Sequence, residues 1–95
     1  MNEFFEHLGD TWVAAAERRG ANIAKPELSS SVALELLELA RVAAHTQERR
    51  FAPLTCYLAG VAAERLRQAN GAGEQDLAEY ILEVRQGVER EVPGL

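Results

Sequence analysis

The sequence predicts an all-α protein, a compact bundle of four helices set antiparallel or orthogonal to one another. Three observations carry this. Apolar residues recur three and four positions apart in four separate stretches, nowhere do they alternate with polar residues over a useful length, and the breaks are filled by Gly, Pro, Ser and Asn. The chain has 95 residues, 47% hydrophobic but only 6% aromatic. A single domain, 1–95, follows from that length, with roughly 60–65% of its surface hidden on folding. Its core has to close by helix packing of small side chains, because large rings are scarce. Connections of about 4–8 residues favour neighbouring helices that fold back or cross steeply.

The first helix is predicted over "EFFEHLGDTWVAAAERRG", with Phe4, Phe5, Leu8, Trp12, Ala15 and Arg19 on one stripe and Glu6, Asp10 and Glu17 opposite. Gly20 ends it, and Arg18 and Arg19 complement the negative end of the helix dipole. In the connector "GANIAKPE", Pro26 blocks helix continuation and Ile23 is expected to tuck into the core. The second helix starts in the run Ser29, Ser30, Ser31, any of which can accept from a free backbone amide. Its stripe is Val32, Ala33, Leu36, Leu37, Ala40, Ala43 and Ala44, with Glu35, Glu38, Arg41, His45 and Glu48 on the far side. Leu34 and Val42 fall off that stripe and hint at a second contact surface.

The third helix is predicted from Pro53 to Asn70, uncharged before Glu64, and is expected to be the central element. Its stripe is Leu54, Leu58, Val61, Ala62, Leu66 and Ala69, flanked by Tyr57. A second row, Cys56, Ala59, Gly60 and Ala63, holds only small side chains and admits close approach of another backbone, internal or from a second subunit. A homodimer is one outcome of that row. Asn70 and Gly71 stop the helix in the left-handed conformation. The last helix, "EQDLAEYILEVRQGVERE", buries Leu77, Tyr80, Ile81, Val84 and Val88, carries acids in its first turn and ends before Pro93.

Charge and chemistry narrow the function. A net charge of −5 repels nucleic acid and anionic membrane alike, so neither is an expected partner. No signal segment or spanning run is visible, which reads as a soluble, cytoplasmic protein. Cys56, the single cysteine, sits in the apolar run "PLTCYLAGVAA" and reads as a core residue without a base to activate it. His7 beside Asp10 reads as a solvated histidine. No Glu-x-x-His pair and no phosphate-cradling glycine loop occur, so no metal, cofactor or catalytic residue is assigned.

The remaining signal is the corner between helices two and three. A helix C-terminus, where cations are favoured, lies there beside a helix N-terminus, where anions are favoured. Ala52 has no oxygen with which to cap the start at Pro53, and Arg49 and Arg50 stand just upstream. Arg41, His45, Arg49, Arg50 and Thr55 are therefore the candidate contacts for a partner or an anion. Water or internal bonds are the ordinary way to satisfy the same amides, since uncapped starts are common at exposed helix ends. Three functions compete: a non-enzymatic interaction module, a binder of a small phosphorylated or anionic ligand at this corner, and catalysis with His45 as general base, which lacks a nucleophile or cleft.

Residues 36–66, "LLELARVAAHTQERRFAPLTCYLAGVAAERL", carry a recognisable pattern: Leu37, Glu38, Leu39, Ala40 and Arg41, then Ala44, His45 and Arg49, then Ala52, Pro53, Leu54, Thr55, Tyr57 and Gly60. This resembles the signature of a small bacterial helical family of unknown function, found alone or as tail domains of enzymes that add a guanylyl group to the molybdenum cofactor. The resemblance implies an accessory role near that metabolism, with a molybdenum-cofactor enzyme as partner, and carries no catalytic residue. Arg50-Phe51 replaces the Pro-Ala often found in the family, and the first helix is longer and more aromatic. The transferase's glycine-rich loop and sheet are missing, so this chain alone is not that enzyme.

Overall fold

The computed structural model describes residues 2–91 and holds four α-helices: α1 Glu3–Glu17, α2 Ser30–Thr46, α3 Phe51–Asn70 and α4 Glu74–Glu91. No strand occurs among the described residues. The predicted stop before Pro93 lies outside them. The helices fall into two compact units, residues 1–30 and 31–95.

In the first unit, Asn2 caps α1, its Oδ1 accepting from the Phe5 amide at 3.2 Å. The helix ends at Glu17, three residues before Gly20, and the exit is a Schellman turn. The Gly20 amide donates to the Glu17 carbonyl and the Ala21 amide to the Ala16 carbonyl, each at 2.9 Å, with Gly20 at φ +78. Arg19 acts at this terminus through a bond rather than through the dipole alone, its Nη1 donating to the Ala15 carbonyl at 3.1 Å.

Lys25 then fastens the connector to α1, with Nζ 2.7 Å from Glu6 and 3.0 Å from Asp10. That contact is why a glycine stands in mid-helix. Gly9 is buried, and a Cβ there would lie 2.9 Å from the Pro26 carbonyl oxygen. The hydrogen bond and charge of Lys25 hold the Glu6 carboxyl below its ordinary range, and Glu6 with Asp10 raises the Lys25 ammonium. Ile23, expected in a core, is exposed.

The second unit packs α2, α3 and α4 around Leu39, Val42, Ala43, Ala63, Leu77, Ala78 and Ile81. The α2 stripe holds Val32, Ala33, Leu36, Ala40, Ala43 and Ala44 buried or half-buried as expected, but departs from expectation at two positions. Val42, placed off it, is completely enclosed, whereas Leu37, placed on it, is 70% exposed. The i, i+3, i+4, i+7 rows of an alanine- and leucine-rich helix overlap, so periodicity alone leaves about one residue of rotational freedom. Glu35, assigned to the polar side, instead reaches α4, where its Oε1 lies 3.4 Å from Arg85 Nη2; the two side chains are 17% and 16% exposed. Arg85 also holds Glu89 at 2.6 Å.

Helix α3 is also rotated from expectation: Val61, Ala62 and Leu66 of the expected stripe are half-buried, but Leu54, Leu58 and Ala69 are exposed. Its inner row is Ala52, Thr55, Cys56, Ala59, Ala62, Ala63 and Leu66, each buried or half-buried, while Leu54, Tyr57 and Leu58 point outward. Gly71, at φ +72, ends α3, its amide donating to the Arg67 carbonyl at 2.7 Å, and Asn70 Oδ1 accepts from the Ala72 amide at 2.9 Å. At the start of α4, Asp76 Oδ2 accepts from the Gly73 amide at 3.2 Å, half of a capping box. Tyr80 and Val88 are half-buried as expected, and Val84 is more open.

Candidate functional site

The bend joining α2 to α3 is residues 47–50, all exposed. Its short length keeps the α2 C-terminus beside the α3 N-terminus, and the helices fold back far enough for Cys56 Sγ to donate to the Leu36 carbonyl at 3.7 Å. The helix start differs from the one expected. It lies at Phe51, two residues before Pro53, with Arg50 as a cap that makes no side-chain bond. The Phe51 amide donates to the Glu48 carbonyl at 2.9 Å and the Ala52 amide to the Arg49 carbonyl at 3.1 Å. Pro53 has no amide hydrogen, so its place in the first turn removes a further donor from the site.

The five corner candidates are not aimed at one point. Arg41 Nε pairs with Glu38 at 3.1 Å, and Arg50 pairs with Glu48 at 3.3 Å while its guanidinium carbon lies 5.9 Å from the Phe51 ring centroid. The Thr55 hydroxyl donates back to the Phe51 carbonyl at 2.8 Å. His45 and Arg49 are exposed. On α1, Asp10 serves Lys25, not His7.

The small-residue row has a clear geometry. Cys56, Ala59 and Ala63 face the neighbouring helices of their own unit, and burial pushes the Cys56 thiol above its ordinary range. Gly60 is exposed, with no atom within 4 Å of the place a Cβ would occupy. Turning this row inward leaves the larger side chains outside: Leu54 is 61% exposed, Tyr57 71% and Leu58 66%. Steps of three and four residues put Leu54, Tyr57, Leu58 and Val61 on one face. Beside this ridge runs an open groove of about 260 Å³ between α2, α3 and α4, walled by Leu39, Leu58, Ala59, Ile81, Val84 and Val88.

The signal for this surface was present in the sequence. A helix uncharged from Phe51 to Ala63 on every face needs either full burial or a second contact. Within the second unit Leu54, Tyr57 and Leu58 stay exposed, so that need is not met by burial.

Among the described residues no group of three or more His, Cys, Asp or Glu side chains could hold a metal ion, and no helix is long and apolar enough to cross a membrane. No curated protein and no solved structure shows significant similarity to the chain. The model of a domain family of unknown function, DUF6457, matches residues 6–93, and the chain belongs to that family.

Proposed function

We propose that this protein is a non-enzymatic interaction module and that the outward face of α3 is its contact surface. One observation carries the reading: Leu54, Tyr57 and Leu58 form an exposed ridge on an uncharged stretch of helix, beside an apolar groove. Contiguous apolar surface of this kind, with an aromatic at its centre, is what protein partners bury. The raised thiol of Cys56 supports the same reading, because a protonated, half-buried sulfur is a poor nucleophile.

The partners to test first are a second copy of the chain and a molybdenum-cofactor guanylyltransferase, the latter on the resemblance of residues 36–66. The test is Tyr57→Ser with Leu58→Ser, followed by light scattering alone and by titration with such an enzyme. Association seen with the parent protein should disappear while the helical circular dichroism stays. If every association survives the double variant, the ridge is not the contact surface.

An anion at the 47–50 bend is the second reading, supported by the exposed Arg49 and His45 side chains. With the Phe51 and Ala52 amides engaged internally, such a ligand would rest on side-chain charge alone. A thermal-shift titration with inorganic phosphate and guanine nucleotides tests it. Ligand at a hundredfold its Kd stabilises by about 2.7 kcal/mol, and an unmoved Tm counts against the site.

A further inference from the structure

We infer that the α3 ridge takes an acidic amphipathic helix from another protein, its apolar stripe laid on Leu54, Tyr57, Leu58 and Val61 and its carboxylates meeting Arg50 and Arg65 at the two ends. This rests on the interaction reading above and adds the chemistry of the partner. Positions 50, 54, 57, 58, 61 and 65 fall within about 100° of one another on a helix of 3.6 residues per turn, so they share one face. Each end of the apolar stripe is thus closed by an arginine, the two separated by about 22 Å along the axis. Arg50 is 79% exposed, its charge met by a 3.3 Å contact with the exposed Glu48 and by the Phe51 ring 5.9 Å away. Arg65 is exposed and makes no ion pair among the described residues.

The charge distribution selects the partner. Residues 47–70 carry Arg49, Arg50, Arg65 and Arg67 against Glu48 and Glu64, a net +2 in a chain of −5, so the rest of the chain carries −7. A second copy laid ridge on ridge would meet the wrong charge in either direction. Parallel packing opposes Arg50 to Arg50, and antiparallel packing opposes Arg50 to Arg65, while the −7 remainders repel. An incoming helix with acids roughly four turns apart and apolar residues between them satisfies both ends and the middle, as helix-in-groove recognition requires.

The test uses the full chain and a blocked synthetic helix of roughly 18 residues, long enough to span both arginines. It carries leucines at i, i+3, i+4 and i+7 spacing and glutamates at both ends; a twin carries lysines there instead. Binding is read by fluorescence anisotropy at low and high salt. The glutamate peptide is expected to bind about tenfold or more tightly than the lysine twin, with the advantage shrinking as salt screens the end contacts. Arg50→Glu with Arg65→Glu should reverse the preference, and Tyr57→Ser with Leu58→Ser should abolish binding of both peptides. Equal binding of the twins overturns the acidic-partner inference and leaves the interaction reading standing. A dimer by light scattering that Tyr57→Lys dissolves overturns it in favour of a second copy. Binding that ignores the ridge variants, or no binding by either peptide, sinks both.

Discussion

Removing Arg85 should expose how much the second unit depends on one charge. Its side chain is 16% exposed, its Nη1 lies 2.6 Å from Glu89, its Nη2 lies 3.4 Å from Glu35, and its Nε is buried with no hydrogen-bond partner. Arg85→Met keeps much of the aliphatic volume but leaves Glu35, 17% exposed, as a carboxylate largely withdrawn from water without its counter-charge. Breaking a fully buried pair costs about 3–5 kcal/mol. Here the Glu35 contact is long, and the Glu89 pair is an ordinary i, i+4 pair of about 0.3–0.5 kcal/mol. Release of the unsatisfied Nε also returns up to about 1 kcal/mol. The net expectation is a loss of about 2 kcal/mol, a large share of the stability of a domain this size. Glu35→Leu combined with Arg85→Met removes both charges and should come back to within about 1 kcal/mol of the parent protein. Urea denaturation of the four proteins gives the coupling directly. A single variant within about 0.5 kcal/mol of the parent, together with a coupling near zero, would refute the claim that this pair ties α2 to α4.

Four further outcomes are expected. Gly60→Leu should raise stability by about 0.5–1 kcal/mol in urea melts, because open space lies where its side chain would go and a mid-helix glycine is removed, whereas Ala63→Leu in the core should cost about 1–3 kcal/mol. Thr46→Val should raise stability by about 0.5–1 kcal/mol in the same assay, since the Thr46 hydroxyl is buried without a partner. The Glu6 carboxyl should titrate below its ordinary 4.5 by carbon-detected NMR, and Lys25→Met should return it there. Because the folded value is the lower one, the Glu6 contribution is present above the unfolded value and fades as pH falls through the folded one; the Lys25 contribution, raised above 10.5, is present below that value and fades as pH rises through the folded one. The Cys56 thiol should react with a disulfide reagent near pH 8 more slowly than an unburied cysteine, and equal rates would contradict its burial-raised value.

The helices were legible in the sequence because their signals are local. Gly20 and Gly71 are read correctly as stops, since a left-handed residue needs no tertiary partner to declare itself. The start of α3 lies two residues before Pro53 because the whole first turn, and not its first position alone, tolerates a proline. Which face turns inward is a different kind of fact. In α2 the exchange between Val42 and Leu37, and in α3 the exchange between the small row and the leucines, both follow from how closely the helices approach. Small side chains at Cys56, Ala59 and Ala63 let α3 lie against its neighbours, and that closeness outweighs burial of the longer side chains within the unit. The candidate site inherited the same ambiguity. Arginines at a helix corner read as a site from sequence, yet Arg41 and Arg50 find carboxylates three and two residues away, and the first amides find carbonyls of the bend itself. Local partners at such short separations cost little chain entropy, so they satisfy an exposed corner before any ligand arrives. The long leucines of α3 have no such local remedy, so the apolar face, and not the charged bend beside it, is the surface left for a partner to satisfy.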